Sequence, residues 1–154
     1  MTLTKQPNSE MCFVCGRNNP VGLYMQFHDN GENEVYSDYT IPSRYQSYPG
    51  IAHGGILASI LDEVVVRVSM IGDPHHFMMT VKLQVLYRQP VPVEVPIKAL
   101  GRIVRLRGRL GRAEGSIVLP DGSIACEASM TLADIPDHLL NQANQALLKW
   151  GVDD

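Results

Sequence analysis

Three features of one stretch could do chemistry together: His53, the glycine pair Gly54-Gly55, and Asp62 nine residues beyond the histidine. Between and after them, Ile56, Ile60, Val64 and Val68 fall at helical spacing, with Leu57, Leu61 and Val65 alongside. That apolar surface is too wide for a helix lying on a protein exterior, so other structure is expected to wrap it. Asp62 and Glu63 sit two turns inside, where a carboxylate is costly to bury without a partner or a purpose. Successive helix positions diverge by about 100°, so at most one of the two need face the interior. The first N–H groups of a helix have no intrahelical acceptor, and glycine lets a ligand approach the backbone closely. An oxyanion or polarised carbonyl is well served there. The plainer reading is a tight turn before a helix, with Asp62 on a polar stripe beside Ser59 and Arg67.

Other groups invite chemistry less firmly. Cys12-x-x-Cys15-Gly16 could suggest zinc or redox work, but structural zinc usually takes four ligands and only Cys126 remains, although two copies could pool their pairs. The following Asn-Asn-Pro argues for a loop, so these cysteines read as structural and no metal is expected. Residues 102–112 hold five of the 13 Lys and Arg residues and no acid. Read as a strand, they set Arg105, Arg107 and Arg109 on one face and Val104, Leu106, Gly108 and Leu110 on the other. Such a run is either a solvated sheet face or a landing site for phosphates. His75-His76 lies in a loop where adjacent side chains rarely converge on one metal. No Gly-x-Ser-x-Gly elbow is present.

The elements that must hold these residues are one helix among strands. Leu23-Met25-Phe27 alternates with Tyr24-Gln26-His28, and Val35 to Ile41 continues after an Asp29-Asn30-Gly31 turn. A loop over 42–52, a helix over 53–70, and strands over 77–88, 93–106, 109–119 and 123–133 follow. Along 77–88, simple alternation sets Phe77, Met79, Val81, Leu83, Val85 and Tyr87 on one face. A short helix over 136–150 aligns Leu139, Leu140, Ala143 and Leu147. This order predicts an α+β fold, an antiparallel sheet curled round one long helix. At 154 residues a single domain is expected, with a lead-in over 1–20 and a helical tail over 136–154. A net charge of −3 and a pI near 5.9 argue against general nucleic-acid binding. No run of 18 apolar residues suits a membrane, the N-terminus has no apolar signal core, and three cysteines cannot all pair. A cytoplasmic location is the expectation.

The His53-Gly54-Gly55 motif with Asp62 at plus nine resembles the hotdog-fold acyl-CoA thioesterases of the phenylacetate-pathway (PaaI-type) group. A second element agrees: Thr80 to Pro90 looks like that family's strand ending in Tyr-x-x-Pro, here Tyr87 to Pro90, with a Ser or Thr seven residues before the Tyr. The Cys-x-x-Cys-Gly followed by Asn19-Pro20-x-Gly22-Leu23 looks like a lead-in found in some members. The resemblance covers about residues 12–133. It implies the hotdog arrangement and hydrolysis of an acyl- or aryl-CoA, with Asp62 as general base or nucleophile and Gly54 and Gly55 as amide donors. Thr80 would reach the site from a partner subunit. Where relatives carry an Asn or Gln six residues before the motif His, this chain has Ser47, with Gln46 one place earlier; either would take that role. His53 and Glu63 are further candidates for contact with the substrate, and Arg105, Arg107 and Arg109 for the phosphates of coenzyme A. No cofactor is implied, and the family's pattern is a homodimer or dimer of dimers. Two alternatives stay open: a hotdog enoyl-CoA hydratase or dehydratase pairing His53 with an acid, and a non-catalytic acyl-CoA-binding module.

Overall fold

Strands β1 (Thr4–Lys5), β2 (His28–Asp29) and β3 (Glu34–Thr40) precede helix α1 (Gly54–Val66), which tightens into a 3-10 turn over Arg67–Met70. Then follow β4 (Met78–Tyr87), β5 (Pro96–Arg107), β6 (Leu110–Val118), β7 (Ile124–Asp134) and α2 (Asp137–Ala146). The computed structural model describes residues 2–146 and 150–152. The strands form one antiparallel sheet in the order β1-β2-β3-β5-β6-β7-β4, so β4 is an edge. This is the expected hotdog arrangement. The tail helix expected over 136–150 is seen to Ala146, and Leu147 lies outside the described residues. Among the described residues no helix is long and apolar enough to cross a membrane.

Helix α1 forms because its Leu, Ile and Val residues gain a wrapped environment. Leu57, Ile60, Leu61, Val64 and Val65 are buried, each side chain contributing about 1.5–3 kcal/mol. The sheet comes this close only because glycines face the helix. A Cβ on Gly101 would press into the Val64 carbonyl, and one on Gly115 into the Val65 side chain.

Two strand readings needed correction. Residues 23–27 do not extend β2: the Leu23 and Met25 amides donate to the Phe13 and Val14 carbonyls (2.8 and 2.9 Å), and Tyr24 takes φ 55°. The alternation still buries Leu23, Met25 and Phe27, against the lead-in rather than in the sheet. In β4 the single face expected from Phe77 to Tyr87 is interrupted. The pairing with β7 shifts between Thr80 and Lys82, a β-bulge at Val81. Thr80 therefore turns to the helix, Met79 and Val81 turn outwards, and Leu83 and Val85 pack on the core.

Gly101→Ala should destabilise the fold by about 1–3 kcal/mol or more, because backbone must move to admit the methyl group. Gly54→Ala, whose Cβ would meet the Tyr87 ring at an ordinary 3.6 Å, should cost less. Urea unfolding of the two variants checks the contrast.

Candidate active site

Asp62 projects from the third turn of α1 toward β4, and the Thr80 hydroxyl donates to its Oδ1 at 2.7 Å. The same hydroxyl lies 3.5 Å from Met130 Sδ. A half-buried carboxylate is thus held by one oxygen, leaving the other to accept a proton or attack. The two residues belong to one chain. The expectation that Thr80 reaches Asp62 from a partner is therefore corrected: the bulge at Val81 turns Thr80 onto its own chain's helix.

At the other end of α1, His53 is the N-cap: its Nδ1 accepts from Gly55 N–H at 2.9 Å, and its carbonyl accepts from Ile56 and Leu57. One of the two expected amide donors is therefore already engaged. Gly54 N–H meets no acceptor among the described residues, and the Tyr87 hydroxyl donates to Gly54 O at 2.8 Å. This cap opens onto a cleft of about 410 Å³ lined by Arg44, Tyr45, Gln46, His53, Gly55, Ile56 and Ser59. Gln46 lies on its wall, its Oε1 accepting from Gly50 N–H at 2.9 Å. Ser47 instead ties its own loop through Ile51 O. Of the two candidates, Gln46 is the one beside the helix start. Arg44 was not singled out from sequence; its place two residues before Gln46 was the available signal. Eight residues along the axis put Asp62 about 12 Å from Gly54, and His53 faces its own cap rather than an acid.

A family model described as thioesterase superfamily matches residues 49–126, from the loop before His53 to Cys126. The chain belongs to the thioesterase superfamily. Among curated proteins it is similar to the rat acyl-coenzyme A thioesterase THEM4, 24% identical over 86 residues, covering 56% of this chain and 36% of that protein. The chain thus spans about a third of the length of that relative. A crystal structure of a thioesterase superfamily protein superposes with TM-score 0.70 at 26% identity, covering 80% of this chain and 60% of that one. The Escherichia coli PaaI protein from the phenylacetic acid degradation operon gives 0.65 at 14% identity, over 74% and 81%. A Streptococcus pneumoniae thioesterase protein with coenzyme A gives 0.65 at 17%, over 71% and 87%.

Glu63 faces away from Asp62: its Oε1 accepts from Arg67 Nε at 2.9 Å, and Cys12 Sγ lies 3.6 Å from its Oε2. Arg67 is fully buried, donating also to Pro7 O and Asn8 Oδ1 and stacking over Phe27. Glu63 as a substrate contact is therefore corrected; it is the counterion of a buried guanidinium. Burial pushes its carboxyl above the usual range, against the pull of Arg67. Nearby, the Cys12 hydrogen bond, aided by Arg67, holds the Cys15 thiol down to about 4 against its burial, while that bond and burial raise Cys12. Cys12, Cys15 and Glu63 bring three ligand atoms within 4.8 Å of one another.

The arginine run also resolves. Arg109 lies in the turn after Gly108 (φ 59°), not on a strand face with Arg105 and Arg107. The pairing shifts between Ile103 and Arg105, which breaks the expected alternation at Val104. A Cβ on Gly111 would meet both Leu106 and the buried Leu132, so Leu106 points to the helix side and its neighbours Arg105 and Arg107 to the outer face. The sheet separates them from Asp62 of the same chain. That outer face carries the larger groove, about 550 Å³, lined in part by Gln84, Arg102, Glu114, Glu127 and Ser129, and none of the expected site residues line it.

The two adjacent carboxylates should therefore respond oppositely. Arg67→Met should destabilise the protein by about 3–5 kcal/mol by leaving Glu63 uncompensated in the interior. Asp62→Asn, which keeps a partner for Thr80, should leave the melting temperature within a few degrees of the parent. Calorimetry on both variants decides; a collapse on Asp62→Asn alone would reverse the assignment of faces.

Proposed function

We propose that this protein is an acyl-CoA thioesterase, with Asp62 as the general base. The observation that carries the reading is the Thr80–Asp62 hydrogen bond on the motif helix. Asp62 takes a proton from water as the water oxygen bonds to the thioester carbonyl carbon. The carbonyl oxygen becomes an oxyanion, stabilised by Gly54 N–H by on the order of 3 kcal/mol, as for such donors in other hydrolases. Collapse re-forms the carbonyl and breaks the C–S bond, and the departing thiolate takes the proton back from Asp62. No metal or organic cofactor enters these steps. The acyl-CoA class is supported by the activity in the THEM4 name and by the coenzyme A in the pneumococcal structure. The hydratase alternative loses ground because His53 Nδ1 is engaged by Gly55 N–H.

The working form is proposed as a homodimer at least, with each site drawn from two chains. Strand β4 offers a ten-residue edge bearing exposed Met79 and Val81, which calls for cover. Tyr87 at one end of β4 touches Gly54, and Thr80 near the other touches Asp62. If two β4 edges pair antiparallel, the Thr80 end of each lies beside the Tyr87 end of the other. The Gly54 cap of one chain then approaches the Asp62–Thr80 pair of its partner, closing the gap of about 12 Å that one chain leaves. Arg44, on the cleft beside that cap, is the proposed contact for the phosphates of coenzyme A.

Asp62→Ala should lower kcat at least ~100-fold in a thiol-release assay with acyl-CoA esters. Gly54→Pro should also be inactive, because proline at the first helical position keeps the turn and removes only the donor. Co-refolded with each other, these two variants should recover about one quarter of the parent activity, since about half of the dimers are hybrids with one intact site. Asp62→Ala co-refolded with Thr80→Val should recover nothing. The reverse pattern would place Thr80 with the partner's Asp62. Binding but no turnover by the parent with any acyl-CoA would indicate a non-catalytic module.

Arg44→Gln should raise KM for acyl-CoA and weaken its salt dependence with kcat preserved, while the Arg105→Gln/Arg107→Gln double variant should leave both unchanged. Steady-state kinetics at low and high salt read the difference.

A further inference from the structure

Cys12, Cys15 and Glu63 have no part in the chemistry proposed above, yet they converge. The cysteines lie on a tight turn in which Gly16 N–H donates to Cys12 O at 2.8 Å. Only glycine fits at the end of that turn, since a Cβ there would collide with the Cys12 backbone. Cys12 Sγ accepts from the amides of Val14 (3.4 Å) and Cys15 (3.5 Å). Backbone donors aimed at a sulfur fix its direction and complement the charge of a metal-bound thiolate. The carboxylate of Glu63 is similarly oriented: Oε1 is held by Arg67, and Oε2 is presented to Cys12 Sγ at 3.6 Å.

We propose that Cys12, Cys15 and Glu63 form a zinc site that fastens the N-terminal segment to α1, with water as the fourth ligand. The spacing fits. Zinc–sulfur and zinc–oxygen bonds of about 2.3 and 2.0 Å at a tetrahedral angle separate S and O by roughly 3.5 Å, close to the distance between Cys12 Sγ and Glu63 Oε2. The charges balance as well: two thiolates and a carboxylate leave a divalent zinc site with one net negative charge, and the buried Arg67 guanidinium beside it neutralises that charge. Cys15 and Arg67 are buried and Cys12 is half-buried, so the metal has a route in and a closed back wall. Thiolate and carboxylate donors in a compact set suit zinc over magnesium or calcium, which prefer all-oxygen sites. The cysteines alone fall short of a zinc set; the third ligand comes from the helix, 51 residues beyond Cys12.

The test uses the full chain, purified under reducing conditions from zinc-supplemented culture and desalted. Elemental analysis should find one zinc per chain. Cobalt added to the metal-stripped, reduced protein should produce thiolate-to-cobalt charge-transfer absorption. Cys15→Ser should abolish both signals, and Glu63→Gln should weaken zinc binding at least ~10-fold in a chelator competition. If Glu63→Gln does not fold by circular dichroism, Glu63→Asp serves, with an altered cobalt spectrum expected. No uptake of zinc or cobalt by the reduced parent overturns the site. So does a loss of two hydrogens from Cys12 and Cys15 on air exposure without metal uptake, which would make them a dithiol–disulfide pair. Half a zinc per chain with binding untouched by Glu63→Gln would likewise overturn it, in favour of a site pooled between two copies.

Discussion

Everything in this structure answers to the burial of α1. A helix apolar on nearly all sides must be enclosed, and enclosure forces each polar group it carries to find a partner. Asp62 finds the Thr80 hydroxyl, and Glu63 finds Arg67. Adjacent carboxylates on one helix thus receive opposite assignments. One lies half-buried against a strand at the sheet edge. The other sits in the interior, where its charge anchors the N-terminal segment through Arg67, Pro7 and Asn8.

The same enclosure shapes the sheet. Gly101 and Gly115 are the points where β5 and β6 touch the helix, and side chains there would push the layers apart. The remaining contact is hydrophobic and tolerant of detail, as expected of a core made of Leu, Ile and Val. Specificity of arrangement therefore rests on a few places: two glycines under the helix, one cap at its start, one ion pair at its end.

How much of this was legible before folding follows from the range of each interaction. The helix, its apolar width and the strands after it were readable because their periodicity is local. Opposite directions for Asp62 and Glu63 followed from helical geometry, but which of them would meet a hydroxyl and which a buried guanidinium did not. The partner of Glu63 was four residues away and could have been guessed; that of Asp62 was 18 away across a break, and only the family resemblance pointed to Thr80, though from a partner chain. Three readings failed where regular alternation was assumed through an irregularity: Tyr24 at positive φ, the bulge at Val81, and the pairing shift after Ile103 with its turn at Gly108–Arg109. Irregularities of this kind depend on register against a neighbour, which a single strand's sequence does not contain. The approach of Glu63 to Cys12 and Cys15 was hidden for the same reason.

The bulge in β4 carries a consequence for how such a protein can change. Thr80 faces the helix because of a count of residues, one more on β4 than on β7, and not because of its own chemical type. One residue added to β7 between Thr131 and Leu132, opposite Val81, would restore strict alternation and move the hydroxyl to the far side of the sheet, with Asp62 and Thr80 both still present in the sequence. The hydrogen bond to Asp62 is therefore governed by parity. A lineage could silence or restore this carboxylate's partner by a single insertion or deletion, and a comparison that scores only residue identity would not see it happen.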